Sequence, residues 1–241
     1  MSFDSKRLLL ALGAAFAVAS GVVLAEDELP DPGDTSLPSL ERVTALIERM
    51  RIEQRSFDSL QANFVQRTES ELLAEPEVAR GAFYYQAPDK VRWVYFEPTP
   101  KVILLNGGQM TTWFQDLGRA ETLRVGRHSD RVLKYLGASG SLETLMEYFT
   151  LKVTWPESRG EGEPYRLKLS PRYERIAKRL EKIDVEVDSE AFIPVLLRYL
   201  EPSGDHTEYS FTDIRVDVPI PPEQFELDLP PEVVVRVRQQ P

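Results

Sequence analysis

The sequence predicts a mainly β, α+β fold built from antiparallel strands. Three observations predict it. After Phe57 the apolar residues recur with a period of two, short turns carrying Pro, Asn and Gly separate the alternating runs, and helical spacing is confined to a few short segments. Strands that follow one another through short turns make an antiparallel meander, because a parallel pair needs a long crossover.

The first element is a leader. Lys6 and Arg7 precede the apolar stretch from Leu8, and Val23-Leu24-Ala25 closes it before Glu26-Asp27-Glu28. A basic flank, an apolar run and small residues at the −3 and −1 positions are the parts of a secretory signal peptide. Residues 1–25 are therefore expected to be cleaved, leaving 216 of the 241 residues. An uncleaved anchor is the alternative, since an apolar run of about 17 residues is near the lower limit for spanning a bilayer. Residues 26–38, EDELPDPGDTSLP, are acidic and proline-rich and are expected to be disordered. Residues 39–241 are expected to form one domain.

The domain opens with a helix. Ser39 is a plausible N-cap, Glu41 lies in the first turn, and Leu40, Val43, Ile47 and Met50 fall at i, i+3, i+7 and i+10 with Leu46 beside them. Then Leu60, Ala62 and Phe64 alternate with polar neighbours. Gly81, Phe83 and Tyr85 follow, and after the Pro88-Asp89 turn come Val91, Trp93 and Tyr95. Val102–Leu105 is a short apolar strand, and Asn106-Gly107-Gly108 is a strong hairpin signal leading into Met110–Gln115. Leu123–Val125 ends a strand and Arg131–Leu136 is a candidate short helix. Ser141 then caps a second helical stripe of Leu142, Leu145, Met146 and Phe149 at i, i+3, i+4 and i+7. Strands return at Leu151–Pro156, Tyr165–Leu169, Lys182–Asp188, Phe192–Glu201 and His206–Val216. The proline-rich tail holds Phe225-Glu226-Leu227 and Val233–Val237. The count is about ten strands with two or three helices.

Composition narrows the chemistry. The chain has no cysteine, so neither disulfides nor a lipidated N-terminal Cys is available. Loss of Asp4, Lys6 and Arg7 with the leader leaves 27 basic and 38 acidic side chains, a net charge of −11. Such a surface repels nucleic acid. His128 and His206 lie in polar stretches with no second His or Cys at ligand spacing, so no metal site and no cofactor are expected. No phosphate-binding glycine loop and no nucleophile elbow occurs. Nothing singles out one acid/base pair among 38 carboxylates, so the chain is not expected to be an enzyme. Arg172, Arg175, Lys178, Arg179 and Lys182 form a basic run that reads either as a solvated face or as a docking patch.

The ordered pieces resemble one family. Phe64-Val65-Gln66 is followed by Gly81-Ala82-Phe83-Tyr84-Tyr85-Gln86-Ala87-Pro88, by Lys90-Val91-Arg92-Trp93-Val94-Tyr95 before Pro98, and by Leu105-Asn106-Gly107 leading to Trp113-Phe114. The tail adds Phe225-Glu226-Leu227 before Pro230-Pro231. Together they resemble the LolA family of periplasmic lipoprotein carriers, over nearly all of the mature chain. The resemblance implies an unclosed antiparallel β-barrel of about ten to eleven strands, covered by an α-helical lid. It implies a periplasmic monomer that takes the acyl chains of a lipoprotein, or a related lipid, from an inner-membrane releasing transporter to an outer-membrane acceptor. A lipoprotein-sensing regulator and a dedicated carrier of another lipid are the alternatives on the same fold.

On this reading the cavity would be lined by Phe83, Tyr85, Val91, Trp93 and Tyr95. The lid would present Leu40, Val43, Ile47 and Met50 together with Leu142, Leu145, Met146 and Phe149. One position departs from the family pattern. The well-known carriers have an arginine just before the proline of the second strand, which holds the lid shut. Here the residue is Ala87, and Arg92 has the opposite strand parity to Trp93.

Overall fold

The computed structural model describes residues 29–124, 147–157 and 162–238. Helix α1 (Ser39–Ser56) leads into β1 (Ser59–Glu69), β2 (Glu77–Gln86), β3 (Lys90–Glu97), β4 (Lys101–Asn106), β5 (Gln109–Phe114) and β6 (Arg119–Arg124). After residues 125–146 come β7 (Phe149–Thr154) and β8 (Tyr165–Pro171), the single turn α2 (Glu174–Ala177), β9 (Lys182–Val187), β10 (Pro194–Leu200), β11 (His206–Val216) and β12 (Val234–Arg238).

The described strands form one twelve-stranded sheet in the order β12-β6-β5-β4-β3-β2-β1-β11-β10-β9-β8-β7. Its two edges, β12 and β7, do not pair with each other, so the barrel is unclosed. Nearly every neighbour is antiparallel, as the short turns require. At Asn106–Gln109 the turn residues Gly107 and Gly108 have φ of 57° and 71°, which a two-residue hairpin turn needs and glycine adopts without steric cost.

The exception is β12, which runs parallel to β6. It arrives there through residues 217–233. Ser59 Oγ donates to the Val218 carbonyl at 2.7 Å, and the 3-10 turn Pro222–Phe225 then lies against the convex side of β3. Arg92 is the anchor. Its Nη1 donates to the carbonyls of Gln224 and Glu226 at 2.8 and 2.9 Å, and Asn106 Nδ2 donates to that of Phe225 at 3.1 Å. The parity argument thus holds: Arg92 faces away from Trp93, and it secures the tail segment rather than the lid.

The expected stripe of four helical residues ending in Phe149 is corrected in one respect. Phe149 opens β7, opposite Pro171, and is buried in the core. Leu142, Leu145 and Met146 lie outside the described residues, as does the candidate helix at 131–136. Ser39 is the first helical residue rather than the cap, which falls on Pro38.

Residues 29–38, part of the segment expected to be disordered, have a defined course. From Leu29 onward the chain is folded onto α1. Pro32 is fully buried, Arg42 Nε donates to its carbonyl at 2.8 Å, and Arg49 Nη2 donates to the carbonyl of Leu29 at 3.0 Å. Low hydrophobicity described the segment itself and missed the guanidinium donors that α1 offers to its carbonyls.

Core packing turns on Gly81. A Cβ there would stand 2.0 Å from the Val94 carbonyl oxygen and 2.6 Å from the ring of Phe64. The missing side chain is what lets that ring lie across β2. Gly81→Ala is expected to cost about 3 kcal/mol or more, the upper part of the range for overpacking. For a domain of this size that lowers Tm by roughly 6–12 °C, read from thermal unfolding by circular dichroism. An unchanged Tm would mean that both the Val94 carbonyl and the Phe64 ring give way at little cost. On the convex side, Arg92→Met removes two charge-assisted hydrogen bonds and is expected to cost about 1.5–3 kcal/mol. Urea unfolding measures that loss, and faster proteolysis between 217 and 233 should accompany it.

Candidate functional site

The concave face is read most easily as rows running across the strands. One row joins Val91, Tyr85 and Leu60; the next joins Ile103, Trp93, Phe83 and Ala62; a third joins Lys101, Tyr95, Gly81, Phe64 and Phe211, with the Lys101 ammonium 3.9 Å over the Tyr95 ring. The period-two pattern places these residues on one side because successive side chains of a strand point to opposite faces. No charged residue interrupts β1 to β3 on this face between Leu60 and Phe64, Gly81 and Tyr85, or Val91 and Tyr95.

Phe83, Tyr85, Val91, Trp93 and Tyr95 therefore come together as expected, as one continuous apolar surface. They are joined by residues that the sequence reading did not place in the cavity: Phe57, Phe64, Tyr209 and Phe211. The Phe64 ring centroid is 4.7 Å from Trp93 and 4.9 Å from Tyr95, both edge-on. Trp93 is also 4.7 Å from Phe83 and 5.4 Å from Tyr209, and Phe57 meets Tyr85 edge-on at 6.2 Å. Edge-to-face geometry is favoured by the ring quadrupoles and adds to the burial.

These rings are covered. None of the five predicted lining residues exposes more than 6 % of its surface. The same apolar cluster takes in Phe149, Leu169, Leu180, Ile183 and Ile193, so the β7–β10 half of the sheet closes towards the β1–β4 half.

Helix α1 sits elsewhere than over the predicted floor. Leu46 and Ile47 pack on Tyr165 and Leu167 of β8 and Val187 of β9, with Met50 at the border of that cluster. Leu40 is 74 % exposed and contributes nothing to it, whereas Ala45 and Leu46 are buried. Two arginines on one stripe of the helix, at i and i+7, hold it in place. Arg42 lies 4.0 Å over the Trp155 ring and Arg49 lies 5.5 Å from the Phe192 ring, within cation–π range. The same two guanidinium groups grip the 29–34 segment through its carbonyls. At the position where the family's lid arginine is expected, the Ala87 amide donates to the Asp58 carbonyl at 2.8 Å and its methyl group packs against the core.

Besides Lys101, one polar group of residues interrupts the apolar face. Tyr95 Oη donates to Gln66 Oε1 at 2.9 Å, and Gln66 Nε2 donates to Thr68 Oγ1 at 3.1 Å. Burial pushes the Tyr95 hydroxyl up to about 12 and raises those of Tyr199 and Tyr209 well above the usual phenol range. All three stay neutral hydrogen-bond donors in any physiological medium. Each of β10 and β11 carries one tyrosine, Tyr199 and Tyr209, and in β11 Thr207 and Tyr209 alternate with His206, Glu208 and Ser210; that alternation was the available sequence signal.

The remaining sequence candidates lie outside this surface. His206 opens β11 with Nε2 3.3 Å from Glu69 Oε2, at the sheet's end, and His128 falls outside the described residues. The basic run spans α2 and its flanks. Arg172, Arg175, Lys178 and Arg179 are exposed, Arg172 Nε donates to the Phe149 carbonyl, and Lys182 pairs with Asp184 at 2.9 Å.

Residues 55–228 match the family model described as "Outer membrane lipoprotein carrier protein LolA". An outer-membrane lipoprotein carrier protein of Alkalilimnicola ehrlichii is 33% identical over 184 residues, covering 72% of this chain and 75% of that protein. One from Methylococcus capsulatus is 29% identical over 178 residues, covering 73% and 80%. Among solved structures, an uncharacterized conserved protein from Thermus thermophilus shares the fold, with a TM-score of 0.54 at 10% identity over 81% of this chain and 99% of that one. With most of its length matched and its unclosed antiparallel sheet in place, the chain belongs to the LolA family of outer-membrane lipoprotein carrier proteins.

Proposed function

We propose that this chain is a periplasmic carrier that receives the acyl chains of a lipoprotein on the concave face of β1–β4 and takes them from an inner-membrane releasing transporter to an outer-membrane acceptor. The observation that carries the reading is the uncharged aromatic surface formed by Phe64, Phe83, Tyr85, Val91, Trp93 and Tyr95. Family membership supports the same assignment.

The packing of that surface bears on how such a carrier works. Removing an acyl chain from water stabilises it by about 0.8 kcal/mol per methylene. If the floor were bare, a 16-carbon chain would gain on the order of 10 kcal/mol from its own burial alone, and its release would be slow. Here the rings already touch one another and the opposite half of the sheet. An entering chain exchanges one set of apolar contacts for another, so its net gain is smaller. That suits a protein whose cargo has to leave.

Such an exchange requires the two halves of the sheet to part, or α1 to move from β8 and β9. The clamps at Arg42–Trp155 and Arg49–Phe192 set the resistance to the second movement. Each is a single partly exposed contact, worth about 0.5–2 kcal/mol.

The test is direct. The mature protein, purified from its periplasm and analysed by native mass spectrometry, is expected to carry acylated peptide or lipid, and to release acylated lipoprotein from spheroplasts into solution. Trp93→Asp places a charge in the middle of the floor and is expected to abolish loading while the protein still reaches the periplasm. Repeated isolation of empty protein that no acylated peptide can load would overturn the reading.

A further inference from the structure

The concave face has a direction. Beyond the Tyr95 row, towards the β1–β2 hairpin and the β10–β11 turn, rings give way to oxygen-bearing side chains. Gln66 stands opposite Tyr209, and Thr68 stands opposite Thr207, which in turn stands opposite Tyr199. Thr68 Oγ1 and Thr207 Oγ1 are 3.4 Å apart. The Tyr209 hydroxyl lies between those of Tyr95 and Tyr199.

Tyr199 is the member that calls for an explanation. It is 1 % exposed, and its Oη, although close to that of Tyr209, makes no hydrogen bond of normal geometry. Buried hydroxyls left this way are uncommon in native proteins and mark places where a partner is absent. A phenol offers one donor, and the partner it lacks is an acceptor. Lys101, 3.9 Å over the face of the Tyr95 ring, is a cation and offers no acceptor.

We propose that Tyr199, with Tyr209 and Tyr95, forms a subsite for the ester carbonyls at the neck of an acylated cargo. Tyr199 donates to one acyl carbonyl oxygen. The fatty chains run from there over Tyr209 and Phe64 to Trp93, Phe83 and Tyr85. The glycerol and whatever it is attached to face the β10–β11 turn. An acyl ester fits because it supplies neutral acceptors at the point where two apolar chains meet. A dialkyl ether has the same shape without those carbonyls.

This inference rests on the carrier reading, and one experiment separates the two. Affinities of the full mature protein for a dipalmitoyl glycerol ester and for the matching dihexadecyl ether are measured by displacement of a fluorescent fatty probe. The ester is expected to bind about three- to tenfold tighter, the effect of one hydrogen bond in a buried site. Tyr199→Phe is expected to erase that preference and leave the ether affinity unchanged. Equal affinity of the wild-type protein for both lipids, or an ester preference that survives in Tyr199→Phe, overturns the subsite alone. Failure of the wild-type protein to bind either lipid overturns the carrier reading along with it. Should Tyr199→Phe not fold, the carbonyl stretching band of the dipalmitoyl glycerol ester bound to the wild-type protein takes its place, with a shift to lower frequency than in hydrocarbon solvent as the expected result and an unshifted band as the overturning result.

Discussion

The fold depends on one ring lying where a side chain is missing. Phe64 crosses β2 at Gly81 and touches Trp93 on one side and Tyr95 on the other. Through Phe64 the strands β1, β2 and β3 share a single aromatic layer, and Tyr209 and Phe211 extend it to β11. Close approach of side chains across neighbouring strands on one face bends the sheet around them, and the bulge between Arg80 and Gly81 adds local twist at the same point. Curvature brings Leu169 and Ile183 of the far strands into the same cluster. Without the space above Gly81 the layer would separate, and the two halves of the sheet would have less reason to face each other.

The parts of this arrangement legible in the sequence are those set by neighbouring residues. Alternation in Val91, Trp93 and Tyr95 determined their face, and two glycines after Asn106 determined a hairpin. Phe149 shows where local pattern has two solutions. It completes a helical i+7 spacing from Leu142, but it also alternates with Leu151 and Val153, and the second pattern is the one its backbone follows. The parallel pairing of β12 was invisible for a different reason. Nothing in Val234–Arg238 specifies a partner; the direction is imposed by Arg92 and Asn106, more than a hundred positions earlier, as they fasten the tail across β3. The fold of residues 29–38 likewise belongs to donors on α1, Arg42 and Arg49.

The absence of an arginine at position 87 acquires a structural counterpart. With only a methyl group there, the sheet at the β2–β3 turn offers α1 no cationic side chain at that point. The cations are on the helix instead, and the partners are Trp155 beyond β7 and Phe192 before β10. A cation over a ring is less directional than a guanidinium fork on a carbonyl, and it loosens gradually as the helix slides. The same arginines hold the 29–34 segment, so motion of α1 and loosening of that segment are mechanically tied.

Direction along the concave face joins these features. Rings occupy the rows nearest Leu60 and Tyr85, and hydroxyls and an amide occupy the rows nearest Thr68 and Thr207. An amphiphile entering a uniformly greasy channel would have no preferred polarity, since apolar burial is non-directional. A few fixed donors at one end break that symmetry, because a buried carbonyl without a donor is costly wherever else it could lie. The donors also stay in place: neutral, packed phenols lose little freedom when they bind, and Tyr95 is braced through Gln66. On the proposed reading, apolar area governs how strongly a cargo is held, and the tyrosine row governs which way round. A carrier that must present the same end of its cargo at two different membranes needs the second property as much as the first.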